Sequence, residues 1–203
     1  SPQEFLDIFE EVKEKQETLI CLSLSSKLSG TYQSACLAKD MVDYENIYIV
    51  DTLTAAAGIR LLCEVAINWI GENRCVEDIV SGLEELKERV HIYAGLDTLE
   101  YLAKGGRISK TAAAIGTLAS IKPIICVDHG KVVVAGKTRG VNKATSVVCE
   151  KMQSDIVDTL YPVYTLYSYG LENVEKLESK LDLDVNRVRI GSTIGVRIGP
   201  NAF

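Results

Sequence analysis

Several residue types that build common catalytic and metal sites are scarce in this chain of 203 residues. It contains only two histidines, His91 and His129. Six cysteines are present, but none forms a C-x-x-C pair or has the Cys/His spacing of a zinc site, so no metal is expected. Several cysteines lie within apolar runs such as Ile20-Cys21-Leu22. We interpret the six as buried free thiols in a reducing compartment.

Long apolar runs and blocks of positive charge are also absent. No run reaches the length of a membrane span, so neither stable membrane insertion nor a signal peptide is expected. Lys and Arg number 22 against 28 Asp and Glu, and an acidic balance of −6 argues against a broad nucleic-acid-binding surface. The hydrophobic content of 47% is ample for a packed core. These features predict a cytoplasmic globular protein.

Apolar periodicity predicts alternating helices and strands in the first half of the chain. The predicted order is helix 4–15, strand 18–24, helix 31–41, strand 46–50, helix 54–71 and helix 76–89. Phe5, Ile8, Phe9 and Val12 share one face of the first helix, and the run 18–24 has the pattern of a strand buried on both faces. This order indicates a parallel sheet with right-handed crossovers.

The second half has a different pattern of elements. It predicts strand 91–96, short helix 99–104, small-residue helix 111–121, a hairpin of 123–128 and 131–136, helix 142–153, strand 160–167, helix 172–181 and strand 187–190. We therefore expect two α/β domains, residues 1–88 with a parallel Rossmann-like sheet and residues 89–203 with a mixed sheet. Because the chain opens on Ser1-Pro2 without an initiator Met, a missing upstream segment is also expected.

The segment SSKLSGTYQ at residues 25–33 lies where a predicted parallel strand ends and a helix begins. Open α/β sheets bind ligands at the carboxyl ends of their strands, and a helix N-terminus favours an anion there. The serine and threonine hydroxyls add hydrogen-bond donors without adding charge. The alternative interpretation is a Ser/Thr helix cap followed by a glycine turn.

Three further segments are less specific when each is taken alone. KGGRIS at 104–109 places Arg107 on a glycine turn, which also describes a capped helix with a surface arginine. GKT at 136–138 resembles a P-loop, but five residues separate it from Gly130 where four are needed, and a strand precedes it. The glycines of residues 193–200 suggest close backbone approach to a ligand or to another part of the chain.

The order of three motifs carries a family resemblance. SSKLSGTYQSA at 25–35, TLEYLAKGGRISK at 98–110 and IKPIICVDHGKVVVAGKTRG at 121–140 resemble the DegV family in sequence and spacing, and the likeness runs through nearly the whole chain. Ser1-Pro2 resembles the end of that family's T-S-x-P-S segment. The resemblance then implies that the first strands, with a head-group threonine, lie upstream.

The resemblance implies a two-domain bacterial protein that holds a long-chain fatty acid between its domains. Its role would be the acyl-binding subunit of fatty-acid kinase, in which a separate ATP-dependent subunit phosphorylates the bound carboxylate. The chain itself would then be no enzyme and would need no cofactor or metal. The residues alone leave two alternatives open. One is a small-molecule enzyme with its site at the strand ends of the first domain, and the other is a ligand-sensing regulatory module.

The resemblance also assigns roles to individual residues. Ser29 of the S-G-T segment would hydrogen-bond the carboxylate, with Gly30 and Thr31 beside it at the start of a helix. Arg107 and Arg139 would face the kinase or steady the head group.

The tail of the chain departs from the family pattern at two positions. The family often has a segment like G-x-H-x-G-P-G here. In this chain Arg197 stands at the place of the histidine, and Asn201 stands at the place of the last glycine. An arginine is permanently charged and forms bidentate hydrogen bonds with carboxylates. It can therefore replace the histidine in binding the head group, or it can indicate a different ligand.

Overall fold

A computed structural model of the chain describes residues 1–109, 111, 120–155 and 157–203. Two compact units divide the chain: Ser1–Val90 with His129–Lys131 form unit 1, and His91–Asp128 with Val132–Phe203 form unit 2. Both units contain helices and strands, which confirms the α/β class. The division into domains 1–88 and 89–203 stays a prediction. The predicted helix 111–121 falls largely outside the described residues.

Unit 1 follows the predicted alternation of helices and strands. Its elements are α1 (Pro2–Glu14), β1 (Leu19–Ser23), α2 (Thr31–Val42), β2 (Ile47–Asp51), α3 (Ala57–Gly71) and α4 (Val76–Leu86), with a 3-10 turn at Lys87–Arg89. β1 and β2 pair in parallel, in a register that runs from Leu19 opposite Ile47 to Ser23 opposite Asp51. The predicted parallel sheet is therefore confirmed.

The apolar face of α1 is narrower than its sequence pattern predicts. Phe9 and Val12 are buried and Phe5 packs beside them, but Ile8 is 52% exposed. Positions 5, 9 and 12 form a narrow stripe at 100° per residue, and position 8 lies at the edge of that stripe. The stripe packs against a small core of α2 and β2 residues, namely Ala35, Ala38, Val42 and Ile47.

Two burial expectations are wrong. β1 was expected to be buried on both faces, but Leu19–Leu22 are only half-buried and Ser23 alone is fully buried. In the part of the chain that the structure describes, β1 has one strand neighbour. The cysteines were expected to be buried, but only Cys149 is, and Cys75 is exposed in the loop before α4.

Unit 2 combines antiparallel and parallel strands. The elements that follow α4 are β3 (Tyr93–Gly95), α5 (Glu100–Lys104), β4 (Ile121–Asp128), β5 (Lys131–Arg139), α6 (Val141–Ser154), β6 (Tyr164–Tyr167), α7 (Glu172–Glu178), β7 (Asn186–Arg189) and α8 (Ser192–Ile198). β3, β4 and β5 form one sheet, with β3 antiparallel to β4, and β6 pairs with β7 in parallel. The mixed pairing is thus divided between two sheets.

The hairpin of β4 and β5 is confirmed, and its turn has the expected backbone. His129 and Gly130 have φ angles of 42° and 79°, the two positive values that a type I′ turn needs. Residues 136–138, which resemble a P-loop, lie within β5. A strand presents no helix N-terminus to a phosphate, so the interpretation against a P-loop is confirmed.

The glycine-rich tail contains a helix that was not predicted. α8 covers Ser192–Ile198 and is flanked by Gly191 and Gly199. Glycine has a low helix propensity, so a glycine-rich pattern does not predict a helix. Beyond α8 the chain returns to the core, where Phe203 is 5% exposed. Its backbone exchanges hydrogen bonds with Gly95 of β3.

Candidate functional site

The loops that follow β1 and β2 lie at the same edge of the unit 1 sheet. Ser23 and Asp51 end the two strands and are partners in the parallel register. The hydroxyl of Thr52 donates to the carbonyl of Ser23 at 2.7 Å, and both residues are buried. This edge carries the serine-rich loop, as expected for a ligand site of an open α/β sheet.

Ser29 and Thr31 form a pair of hydroxyls at the start of α2. Their Oγ and Oγ1 atoms are 2.8 Å apart, and the Ser29 hydroxyl also accepts the N–H of Thr31 at 3.3 Å. Both side chains are half-buried. Because only one proton is needed for the bond between them, the other hydroxyl proton is available for an anion. The N-cap of α2 is Gly30 and has no side-chain cap, so the Ser/Thr cap interpretation is wrong for this helix, although Ser29 does bind its first N–H.

Gly30 lies between these two residues and is exposed. Nothing stands within 4 Å of the position that a Cβ would occupy there. Its carbonyl accepts the N–H of Ser34 at 2.9 Å, which begins the hydrogen-bond ladder of α2. Gly30 thus leaves open space above the first turn of the helix.

Ser25 holds the base of the same loop, a role that the sequence did not reveal. It is fully buried, and its hydroxyl donates to the carbonyl of Gly130 at 2.7 Å within unit 1. Its own carbonyl accepts the N–H groups of Leu28 at 2.9 Å and Ser29 at 3.1 Å. Residues 25–29 are consequently a closed, hydrogen-bonded turn.

Asp51 is a second residue that sequence reasoning missed. Its Oδ1 accepts the N–H of Ser26 at 3.0 Å and of Leu53 at 3.2 Å, so it joins the loops after both strands. The pKa of Tyr32, in the first turn of α2, is raised chiefly by its hydrogen bond with Cys36 and by burial, and the charge of Asp51 adds to this. A signal that could have identified Asp51 is its place at the end of the second parallel strand, because the ends of parallel strands share one edge of a sheet.

The loop between β2 and α3 has an unusual backbone. Leu53 and Ala56 have φ angles of 51° and 48°, which L residues rarely adopt. Between them, Thr54 is 1% exposed, and its Oγ1 finds no hydrogen-bond partner among the described residues. Strained backbone of this kind clusters at ligand-binding sites, so the loop supports the choice of this edge.

Two of the three candidate arginines meet at one glycine in unit 2. Arg107 donates from Nη1 to the carbonyl of Gly105 at 2.5 Å. Nη1 of Arg197, in α8, lies 3.2 Å from the position of a Cβ on the same glycine. Arg139 is the last residue of β5 and is exposed. The structure thus brings Arg107 and Arg197 together, and it places the Ser29 group in unit 1.

The turn after α8 is held by a half-buried polar contact. Asn201 has a φ of 58°, and its Nδ2 donates to Oδ2 of Asp97 at 2.8 Å. Lys122 Nζ lies 2.6 Å from Oδ1 of the same carboxylate. Burial favours a raised pKa for Asp97, but the hydrogen bonds from Lys122 and Asn201, with the lysine charge, outweigh it, so the pKa is lowered. The Asp97 carboxylate therefore stays ionised.

Metal and membrane features are missing from the described residues. Within 1–109, 111, 120–155 and 157–203, no group of three or more His, Cys, Asp or Glu side chains is arranged to hold a metal ion. Among the helices of those residues, none combines the length and apolar character needed to cross a bilayer.

Comparison with known proteins identifies the family. The model of the DegV family of uncharacterised proteins matches residues 1–203. This chain belongs to the DegV family. A DegV domain-containing protein of Clostridium acetobutylicum is 32% identical over 205 residues, which is 100% of this chain and 74% of the relative.

Solved DegV structures share the fold along the whole chain. A DegV family protein of Thermus thermophilus, described by its fatty-acid binding, is 30% identical with a TM-score of 0.87 over 100% of this chain and 74% of that one. A stearic-acid-binding protein of Eubacterium ventriosum is 27% identical with a TM-score of 0.88, again over 100% and 74%. Both of these proteins are thus described by the fatty acids that they bind.

Proposed function

We propose that this chain is a carrier that binds a long-chain fatty acid and presents its carboxylate to an ATP-dependent kinase subunit, which forms the acyl-phosphate. The observation that carries the binding step is the match of this whole chain to 74% of each of two solved proteins described by fatty-acid binding. The presentation step rests on the ordered motifs that resemble the acyl-binding subunit of fatty-acid kinase.

The free energy of burying an acyl chain is large enough to hold a fatty acid on the protein. About 14 methylenes buried at ~0.8 kcal/mol each contribute roughly 11 kcal/mol. Association and ordering costs reduce that figure substantially. The remainder still allows useful affinity without any contribution from the head group.

The carboxylate needs hydrogen-bond donors, because an unpaired buried charge costs several kcal/mol. The Ser29 and Thr31 hydroxyls supply donors at the N-terminus of α2, a helix of 12 residues. The positive end of the helix dipole favours the negative charge there. We therefore propose Ser29, Gly30 and Thr31 as the head-group site in unit 1.

The arginines suit a role in phosphoryl transfer or kinase contact. Arginine binds carboxylate and phosphate oxygens in a planar fork. Arg107 and Arg197 both lie at the turn of Gly105, which supports a common role for the two side chains. We propose Arg197 as a head-group residue, and Arg107 and Arg139 as residues that face the kinase or steady the head group.

Lipid analysis tests the binding step. Protein purified from a bacterial host, denatured and extracted, is expected to release about one fatty acid per chain, measured by mass spectrometry. The delipidated protein is then expected to bind added hexadecanoic acid. Absence of both co-purified and titrated acid contradicts the proposal.

A reconstituted kinase assay tests the presentation step separately. The loaded protein, a DegV-associated kinase subunit and γ-labelled ATP are expected to yield an acyl-phosphate that hydroxylamine traps as a hydroxamate. The protein without the kinase subunit is the control and is expected to give none. Fatty-acid binding without product limits the function to binding.

A further inference from the structure

Asp51 is connected to the proposed head-group site through the backbone of one loop. Its Oδ1 holds the N–H of Ser26 at 3.0 Å, at the start of the serine-rich loop. From there the turn closes when the N–H groups of Leu28 and Ser29 reach the carbonyl of Ser25. The loop from Ser26 to Ser29 is therefore one hydrogen-bonded unit that is fixed to the end of β2.

We propose that Asp51 is a positioning residue for carboxylate binding, because it fixes the loop that sets the Ser29–Thr31 hydroxyl pair at the start of α2. The inference rests on the proposed function of that pair. An ionised carboxylate accepts N–H groups more strongly than a neutral oxygen does. The second bond, to Leu53 N at 3.2 Å, ties the same oxygen to the loop after β2.

The restraint that Asp51 provides differs from that of Ser25. Ser25 is fixed by its N–H to the carbonyl of Thr54 at 3.0 Å and by its hydroxyl to Gly130. These bonds hold the base of the loop at residue 25. Asp51 holds the next residue, so it sets the direction in which the chain leaves towards Ser29. A small rotation there displaces a hydroxyl enough to weaken a hydrogen bond, which is sensitive to angle.

The charge of Asp51 raises a competing explanation. A negative side chain near an anion site opposes the ligand by Coulomb repulsion. If repulsion dominates, removal of the charge strengthens binding. If positioning dominates, removal of the acceptor oxygen weakens binding. Asp51→Asn removes the charge and keeps an acceptor oxygen, whereas Asp51→Ala removes both, so the two variants separate the explanations.

The test uses the delipidated full chain with two ligands, hexadecanoic acid and hexadecan-1-ol, which differ in the head group alone. Asp51→Ala is expected to weaken binding of the acid about tenfold or more, with a change of under about twofold for the alcohol. Asp51→Asn is expected to bind the acid within about threefold of the unmodified chain, or more tightly, because its amide oxygen still accepts both N–H groups.

Several results overturn the inference. The first is an equal loss of affinity for acid and alcohol in Asp51→Ala, and the second is tighter binding of the acid in that variant. The third is an Asp51→Asn variant that binds the acid as weakly as the alanine variant does. If Asp51→Ala does not fold, Asp51→Glu replaces it, since it keeps the charge and moves the oxygens by one methylene. That variant is expected to bind the acid more weakly and the alcohol normally, and normal binding of both ligands overturns the inference.

The same experiment separates this inference from the proposed function. If the unmodified chain binds no acid, the proposed function fails. If it binds acid and Ser29→Ala weakens that binding while all Asp51 variants bind normally, only the positioning role fails. Circular dichroism and thermal unfolding of each variant establish that the folded protein is compared.

Discussion

Replacing Ser29 by alanine removes one of two hydroxyls that lie 2.8 Å apart at the start of α2. A hydrogen bond to a charged group contributes about 1.5–3 kcal/mol. At about 1.4 kcal/mol per factor of ten, Ser29→Ala is expected to weaken binding of a fatty acid about 10- to 100-fold. The loss of affinity should appear mainly as a faster dissociation rate, since the association rate depends mainly on the apolar chain of the ligand.

The change also affects stability, and the two effects are separable. The Ser29 hydroxyl accepts the N–H of Thr31, the first residue of α2, at 3.3 Å, and alanine removes this bond. Loss of such a hydrogen bond costs about 1 kcal/mol of folding stability. Chemical denaturation of the ligand-free protein measures this cost directly, and titration of the folded protein measures affinity.

A double-mutant cycle with Thr31→Val tests whether the two hydroxyls act as a pair. Valine keeps the shape of threonine without its hydroxyl. Because each hydroxyl orients the other, the double variant is expected to lose less affinity than the sum of the single losses. Ser34→Ala, one turn further along α2, is the matched control and is expected to bind normally. Normal affinity in Ser29→Ala, or additive losses in the cycle, would refute the reasoning.

Three further predictions concern stability. Gly58→Ala is expected to lower the free energy of unfolding by about 1–3 kcal/mol, because its Cβ would lie 2.2 Å from Oγ1 of Thr54. Gly71→Ala is the control: nothing lies within 4 Å of its Cβ position, so the free energy of unfolding is expected to stay unchanged or to rise. Phe203→Ala is expected to cost about 3–5 kcal/mol in urea denaturation, and a cost below about 1 kcal/mol would contradict its core position. The lowered pKa of Asp97 stabilises the fold above the unfolded pKa, and this contribution is lost as pH falls through the folded value. The stability difference between wild type and Asp97→Asn should therefore shrink from pH 7 to about pH 3, and a constant difference would contradict it.

Local patterns were sufficient to predict most elements of the fold. The apolar runs and the serine-rich loop predicted β1, α2 and β2, because strands and helix starts produce recognisable patterns of neighbouring residues in the sequence. α8 is not predicted, since Gly195 lies within it and Gly191 and Gly199 flank it, and glycine opposes a helix locally. The contacts that hold such a segment come from residues distant in sequence, and a local pattern does not contain them.

The candidate site could be predicted only in part. Ser29, Gly30 and Thr31 were named from a contiguous motif, and the structure places Ser29 and Thr31 in contact. Asp51 was not assigned a role, because its partners are backbone N–H groups and one of them, Ser26, is 25 residues away. Backbone donors exist at nearly every residue, so only the fold shows which of them a carboxylate reaches.

The two departures from the family pattern have different physical consequences. At position 201, where the family resemblance leads us to expect glycine, this chain has asparagine, which tolerates the φ of 58° and whose amide binds Asp97. That change keeps the backbone and adds a hydrogen bond. At position 197, where the resemblance leads us to expect histidine, this chain has arginine, whose guanidinium lies beside Gly105 with that of Arg107. Arginine stays charged at every physiological pH, whereas a histidine does not. Any difference in ligand preference from DegV proteins that carry histidine there should therefore follow position 197 and not position 201.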